Sequence, residues 1–413
     1  MRIILYILIF QCLSLLSNSK TISINNSSFS DLISKIENSI SGDTIKINGG
    51  TYKGSGIKIK KILTIIGHNY PIFDANGNKG DLFFIQSDSV TIDGIKIINV
   101  PKAHTTDNAA IKVSNSKNVT LKNIITDNCF FGIYLSKTDN SFIFNNTIQG
   151  NNLHETSSGN GIHLWRCNNI GIFNNRIFSH RDGIYFEFVK NTKIYNNLSK
   201  FNVRYGLHYM FSDSCSYFNN KFYENGAGVA VMYTKNVMMK NNEFKDNWGT
   251  SSYGILLKDI RDSQILNNKF TNNTIGILAE GSNRIIIKDN HFEKNGWGMK
   301  MMGNCVDNLV NNNNFTGNTF DISSNSMESY NNFDGNYWSN YKGYDLDKNG
   351  IGDIPHYPVS LFSMVVQNSS PAMILMHSLF INILEVSEKI FPSIIPKKII
   401  DSKPNMRMIN DKN

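Results

Sequence analysis

Met210 and Met232 hold matching places in two copies of one pattern, Gly206-Leu207-His208-Tyr209-Met210 and Gly228-Val229-Ala230-Val231-Met232. Side chains alternate along a strand. The second and fourth residues after each glycine therefore share a face, and His208 joins the methionines on it. Along the chain the second places read Tyr134, His163, Tyr185, His208, Ala230, Leu256, Leu278, Lys300. The fourth places read Ser136, Trp165, Glu187, Met210, Met232, Lys258, Glu280, Met302. Thioether and imidazole groups side by side are soft ligands, suited to Cu(I). These rows nominate a transient copper site at His208, Met210 and Met232, with His163 and Glu187 as auxiliary groups. The same residues also read as a partner-docking patch, in which methionine supplies an adaptable surface. Farther along, Ala230, Leu256 and Leu278 form an apolar strip that reads as a docking surface.

Other chemistry is less well supplied. Asp345, Asp347 and Asn349 alternate ahead of Gly350, and Asp353 comes next, as in the first part of an EF-type calcium loop. His356 stands where that loop needs a bidentate glutamate, and a plain Asx-rich turn fits the residues equally well. Glycoside chemistry needs two carboxylates flanking one bond. The outward rows offer Glu187 and Glu280, four coils apart, which at the strand spacing is roughly 19 Å and too far. No G-x-x-x-x-G-K-[ST] segment occurs, so ATP chemistry would belong to another chain. The formal net charge is +8, but the Lys and Arg residues are scattered, which argues against nucleic acid as a partner.

The elements that must position these groups are visible as a repeat. Glycines recur at Gly132, Gly161, Gly183, Gly206, Gly228, Gly254, Gly276 and Gly298. Asparagines keep step with them at Asn146, Asn175, Asn197, Asn220, Asn242, Asn268, Asn290 and Asn313. Most steps are 22 or 23 residues, which means a solenoid. Alternation after each glycine is strand periodicity. The expected fold is all-β, a right-handed parallel β-helix, with the asparagines stacked at one corner. The first and third residues after each glycine should fill its core. Two insertions, 153–160 (LHETSSGN, carrying His154) and 248–253 (WGTSSY), leave from one corner beside the outward face.

The chain divides accordingly. Residues 1–19 read as a secretory signal peptide: Arg2, an apolar run, then Ser17-Asn18-Ser19. Residues 20–41 should form an N-terminal cap, because 29–40 has helical apolar spacing and an open coil exposes strand edges. The β-helix proper is expected over 42–333. A C-terminal cap with the Asp-rich loop should cover 334–370. The tail, 371–413, departs from the repeat and reads as a segment that docks on a membrane partner. Cys129, Cys167, Cys215 and Cys305 lack metal or disulfide spacing and read as buried thiols.

Several segments carry a resemblance: 183–191 (GIYFEFVKN), 204–212 (RYGLHYMFS), 225–233 (NGAGVAVMY), 253–258 (YGILLK) and 295–305 (NGWGMKMMGNC). With 317–321 (GNTFD), 336–358 and 358–362 (PVSLF), they make the chain resemble the NosD family over nearly its whole length. The family more usually runs straight to Tyr where His356 stands. The resemblance implies a periplasmic, non-enzymatic component of an ABC-type complex. Its partners would be a membrane permease subunit, a cytoplasmic ATPase subunit, a membrane-anchored copper chaperone and nitrous oxide reductase, whose copper-sulfur centre the system helps to build. The bare β-helix repeat is also shared with sugar-acting proteins. A secreted carbohydrate-acting or carbohydrate-binding β-helix, lyase- or epimerase-like, is the alternative.

Overall fold

The computed structural model describes residues 19–409, apart from 26, 104, 152–153, 377 and 391–398. The signal peptide expected over 1–19 falls almost wholly outside the described residues. The chain beyond it forms a parallel β-helix. One coil consists of the strands Tyr205–Met210, Ser216–Phe218 and Lys221–Tyr223; the next consists of Ala227–Met232, Met238–Lys240 and Glu243–Lys245. Each pairs in parallel with its counterpart one coil on, and the repeat sets the register: Leu207 with Val229, Tyr209 with Val231, Met210 with Met232. The column that contains Lys221–Tyr223 is a 13-stranded sheet.

The core is the inside of the tube. The first and third residues after each glycine, such as Leu207 and Tyr209 or Val229 and Val231, are fully buried. Phe222, Phe244, Phe270, Phe292, Phe315 and Trp338 stack on successive coils with ring centroids 4.4–5.4 Å apart. The glycine is required by this packing. A Cβ on Gly206 would lie 2.7 Å from the Gly228 carbonyl oxygen and 2.8 Å from Phe222 Cδ1.

Both polar corners are asparagine ladders. Asn220 Nδ2 donates to Asn242 Oδ1 at 3.0 Å and to the Ile194 carbonyl at 3.0 Å, and the contact repeats from Asn146 up to Asn336. The residue before each ladder asparagine turns the corner in left-handed backbone, as at Asn219, Asn241 and Asn267, a conformation asparagine tolerates. A second ladder, Asn202, Asn225, Asn247, Asn273, Asn295 and Asn318, runs along the next corner. Leaving one such buried group unpaired costs about 1–3 kcal/mol, so the ladders resist slippage of one coil on the next.

The solenoid is longer at both ends than the repeat indicated. The strand Thr21–Asn25 pairs with Thr44–Asn48, so the first coil begins before Gly42. Helix α1, Phe29–Asn38, is then the expected cap: Ser28 Oγ accepts from the Asp31 N–H, and Leu32 and Ile36 are buried. At the other end Tyr337 and Trp338 join the sheet after Phe333. The tail starts as helix α2, Leu361–Asn368, a 3-10 segment, Ser370–Leu375, and helix α3, Leu379–Ile390. It then returns to the tube instead of standing apart. Asp401 bridges to Phe333 and Asn405 to Tyr337, both parallel, as a further partial coil. The Asp401 carboxylate takes the place of the next asparagine. It accepts from the Gly335 N–H, the Asn336 N–H and side-chain amide, and Trp338 Nε1, at 2.8–3.0 Å.

Candidate functional site

The register brings the nominated residues onto one face. Trp165, Glu187, Met210, Met232 and Lys258 are direct partners on successive coils. Glu187, Met210 and Met232 are half-buried, with the two methionines adjacent. His163, Tyr185 and His208 form the parallel row. The rows differ in depth. His208 is only 3 % exposed, although it points away from the tube. Its ring packs against Tyr185 (centroids 5.1 Å apart) and Tyr205 (4.7 Å). Neither of its ring nitrogens has a hydrogen-bond partner. The nearest acid is Asp182, fully buried one coil below, with Oδ2 3.6 Å from His208 Nδ1.

His163 does not join the methionines. It is sandwiched between Tyr134 and Tyr185, centroids 4.3 and 4.7 Å away, and the Tyr185 ring separates it from His208. Asn160 Nδ2 lies 3.0 Å from its Nδ1, and burial pushes its pKa down to about 3, so the imidazole is neutral. The first insertion crosses this face: Glu155, in a short 3-10 turn, pairs with Arg204 from two coils on, at 3.4 Å.

A family model described as "Periplasmic copper-binding protein (NosD)" matches residues 145–343, which include every nominated copper ligand. The "Probable ABC transporter binding protein NosD" of Pseudomonas aeruginosa is 31% identical over 351 residues, covering 80% of this chain and 81% of that protein. The chain belongs to the NosD family. The like-named protein of Stutzerimonas stutzeri is 30% identical over a shorter stretch, 29% of this chain and 28% of its own. Among solved structures, an A-module of mannuronan C-5 epimerase from Azotobacter vinelandii superposes with TM-score 0.63, at 13% identity, over 75% of this chain and 98% of that one. A family 28 exopolygalacturonase from Yersinia enterocolitica gives TM-score 0.61 at 12% identity, over 77% and 78%. At such identities the likeness shows the β-helix and nothing of its chemistry. The NosD relatives are named for binding, not for catalysis.

For a NosD-family protein the question is whether this face suits copper as cargo. Among the described residues no three His, Cys, Asp or Glu side chains converge as a cage. A cation here would therefore depend on thioether sulfur, which selects Cu(I) over harder ions. Beside the methionines, His208 offers a buried imidazole whose nitrogens make no hydrogen bond, with the Asp182 carboxylate 3.6 Å from Nδ1.

The Asp-rich loop corrects an expectation. Asp345 accepts from the backbone N–H groups of Asn349 and Gly350, Asp347 from Asn349, and Asp353 from Leu346, at 2.7–3.2 Å. Asn349 Oδ1 accepts from the Ile351 N–H. The oxygens expected to hold calcium hold the turn together instead, and calcium is not supported. The pair that the outward rows offer to the carbohydrate alternative does not come together: Glu187 and Glu280 are four coils apart in the observed register, and Lys258 lies 3.9 Å from Glu280. The apolar strip has an owner as well. Leu278 packs against a cluster of Ile275, Trp297, Phe320, Phe362 and Val366, so the chain's own tail covers that end of the face.

Sequence reasoning missed two features. One is the contact of Asp182, which the sequence offers only as an acid in a turn, with His208, which appears only when the coils are stacked. The other is the fifth place after each glycine, where the backbone is left-handed: Lys137, Arg166, Phe188, Phe211, Tyr233, Asp259, Gly281. Phe188, Phe211 and Tyr233 stack there with centroids 5.4 and 5.1 Å apart, exposed and directly beside Glu187, Met210 and Met232. Three large rings in a place that suits Asn or Gly were legible in the repeat register.

Proposed function

We propose that this chain is a periplasmic docking component of an ABC-type complex and that it relays Cu(I) during assembly of the copper-sulfur centre of nitrous oxide reductase. The observation that carries the reading is the adjacency of Met210 and Met232 on neighbouring coils, two residues along from a buried His208 whose nitrogens have no partner. Three soft donors are few enough to bind a transient ion that must be handed on. The exposed rings of Phe188, Phe211 and Tyr233 would seat the protein that delivers or receives it, a membrane-anchored copper chaperone or the reductase.

The tail supplies the other attachment. Helix α3 turns Ile381 and Leu384 onto the cluster that α2 shares with the tube, while Leu379, Ile383, Val386 and Ile390 face outward; Leu379 is 80 % exposed. Among the described residues no helix is long and apolar enough to cross a membrane. On this reading the outward stripe docks on the membrane permease subunit, and a separate ATPase subunit supplies the energy.

The test is the double substitution Met210→Leu and Met232→Leu, which keeps size and apolarity and removes sulfur. Cu(I) titration of the purified mature chain should show binding by the wild type and its loss in the variant, with an unchanged circular dichroism spectrum. In cells the variant should yield reductase without its copper-sulfur centre. Unchanged Cu(I) affinity with fully active reductase would leave these residues as a docking footprint only.

A further inference from the structure

The buried acid beneath His208 joins two coils and faces the imidazole. Asp182 is fully buried, its Oδ1 accepts from the Tyr205 N–H at 3.2 Å, and its Oδ2 has no hydrogen-bond donor. The Tyr205 contact fixes the carboxylate, because Asp182 and Tyr205 are register partners on adjacent coils. Oδ2 is thereby aimed at His208 Nδ1, 3.6 Å away, with Arg181 Nε also at 3.6 Å. Tyr185 and Tyr205 close on the imidazole from two sides and limit its rotation.

A neutral imidazole carries one N–H, and which nitrogen bears it is set by what the other faces. Facing a carboxylate, Nδ1 is the nitrogen that keeps the proton. Nε2 is then left with its lone pair free. Histidines that bind metals commonly turn their second nitrogen to a carboxylate in this way, which fixes the tautomer and ring orientation. We propose that Asp182 is a positioning residue: it holds His208 in the Nδ1–H tautomer, so that Nε2 is the atom presented to a soft cation alongside Met210 and Met232. This rests on the copper reading above, but its first consequence concerns the metal-free protein.

The substitution Asp182→Asn tests it. Asn keeps the shape, and its Oδ1 can go on accepting from Tyr205. Its Nδ2 would then face His208 Nδ1 as a donor, which the ring can meet only by moving its proton to Nε2. Imidazole nitrogen-15 shifts of the full mature chain at pH 8, with no metal added, should report the Nδ1–H tautomer in the wild type and the Nε2–H tautomer in the variant. Titration with Cu(I) alone should then show affinity about 10–100-fold weaker in the variant. X-ray absorption of the loaded wild type should show one imidazole nitrogen beside sulfur, and the loaded variant sulfur only. An Nε2–H tautomer in the wild type overturns the proposal, and so does a variant with unchanged tautomer and affinity. If the tautomer flips but neither protein binds Cu(I), the copper reading fails while the assignment of the Asp182–His208 contact stands.

Discussion

His163 and His208 stand two coils apart in one row, and their surroundings give them different properties. The row was legible in the sequence, because alternation after a repeated glycine fixes which side chains leave the tube. Their burial was not. Asn160, the Tyr rings above and below, Tyr205 and Asp182 enclose them from other parts of the chain. That enclosure sets a pH response. Burial pushes the pKa of His163 down to about 3, and those of His180 and His356 to about 4, against roughly 6.5 in an unfolded chain. Below pH 6.5 the unfolded state takes up protons that the folded state refuses. The stability linked to these groups is therefore intact above about pH 6.5 and is lost as pH falls toward 4, by up to about 1.4 kcal/mol per pH unit for each. Urea unfolding at a series of pH values should show this decline, and His163→Gln should flatten it. Equal slopes for the two proteins would mean that His163 is already charged in the fold.

At the scale of the coil, one corner sets three large rings in left-handed backbone on successive coils. Asparagine turns most copies of the first ladder's corner in left-handed backbone and mixed residues such as Phe201, Glu224 and Asp246 turn the second's, whereas Phe188, Phe211 and Tyr233 put three successive rings at this one. A left-handed residue with a side chain costs about 1–2 kcal/mol, and a stacked ring pair returns about 0.5–1.5 kcal/mol. Three such residues cost about 3–6 kcal/mol and the two stacked pairs return about 1–3 kcal/mol, so stacking does not account for the rings, and their exposure beside Met210 and Met232 is the better reason for them. The triple substitution Phe188→Asn, Phe211→Asn, Tyr233→Asn should leave the unfolding free energy at, or up to about 5 kcal/mol above, that of wild type, because asparagine tolerates the left-handed backbone. It should also abolish capture of the copper-delivering partner. A loss of several kcal/mol would make the ladder a structural device. The asparagine ladder was read from the sequence because each copy precedes a strand in constant register. The second ladder escaped notice because its members sit beside the variable residues that lead into each glycine, as in ENGAG and DNWGT.

For the molecule as a whole, the tail combines a structural part with the docking role proposed above, and its sequence does not separate the two. Apolar residues outside the repeat, ended by prolines, suggested an appendage that could be removed without harm to the tube. The structure divides it: α3 packs through Ile381 and Leu384 on a cluster that α2 shares with the tube, and Asp401 and Asn405 close the tube's end. Asp401 could not be read as a cap from sequence because it stands 65 residues beyond Asn336, the last rung of its ladder. Truncation at Pro371 would remove both functions at once, so point changes must separate them. Asp401→Ala strands buried donors from Asn336 and Trp338, each costing about 1–3 kcal/mol, and should lower stability by about 3 kcal/mol or more. Leu379→Ser, Ile383→Ser and Ile390→Ser alter only the outward face of α3, and should leave thermal unfolding unchanged while the protein no longer copurifies with the membrane permease. Stability lost in the first variant and the partner lost in the second is the outcome expected if different parts of the tail serve the tube and the proposed membrane complex. If the triple variant still copurifies with the permease, α3 is not the docking element, and the attachment must lie on the solenoid itself.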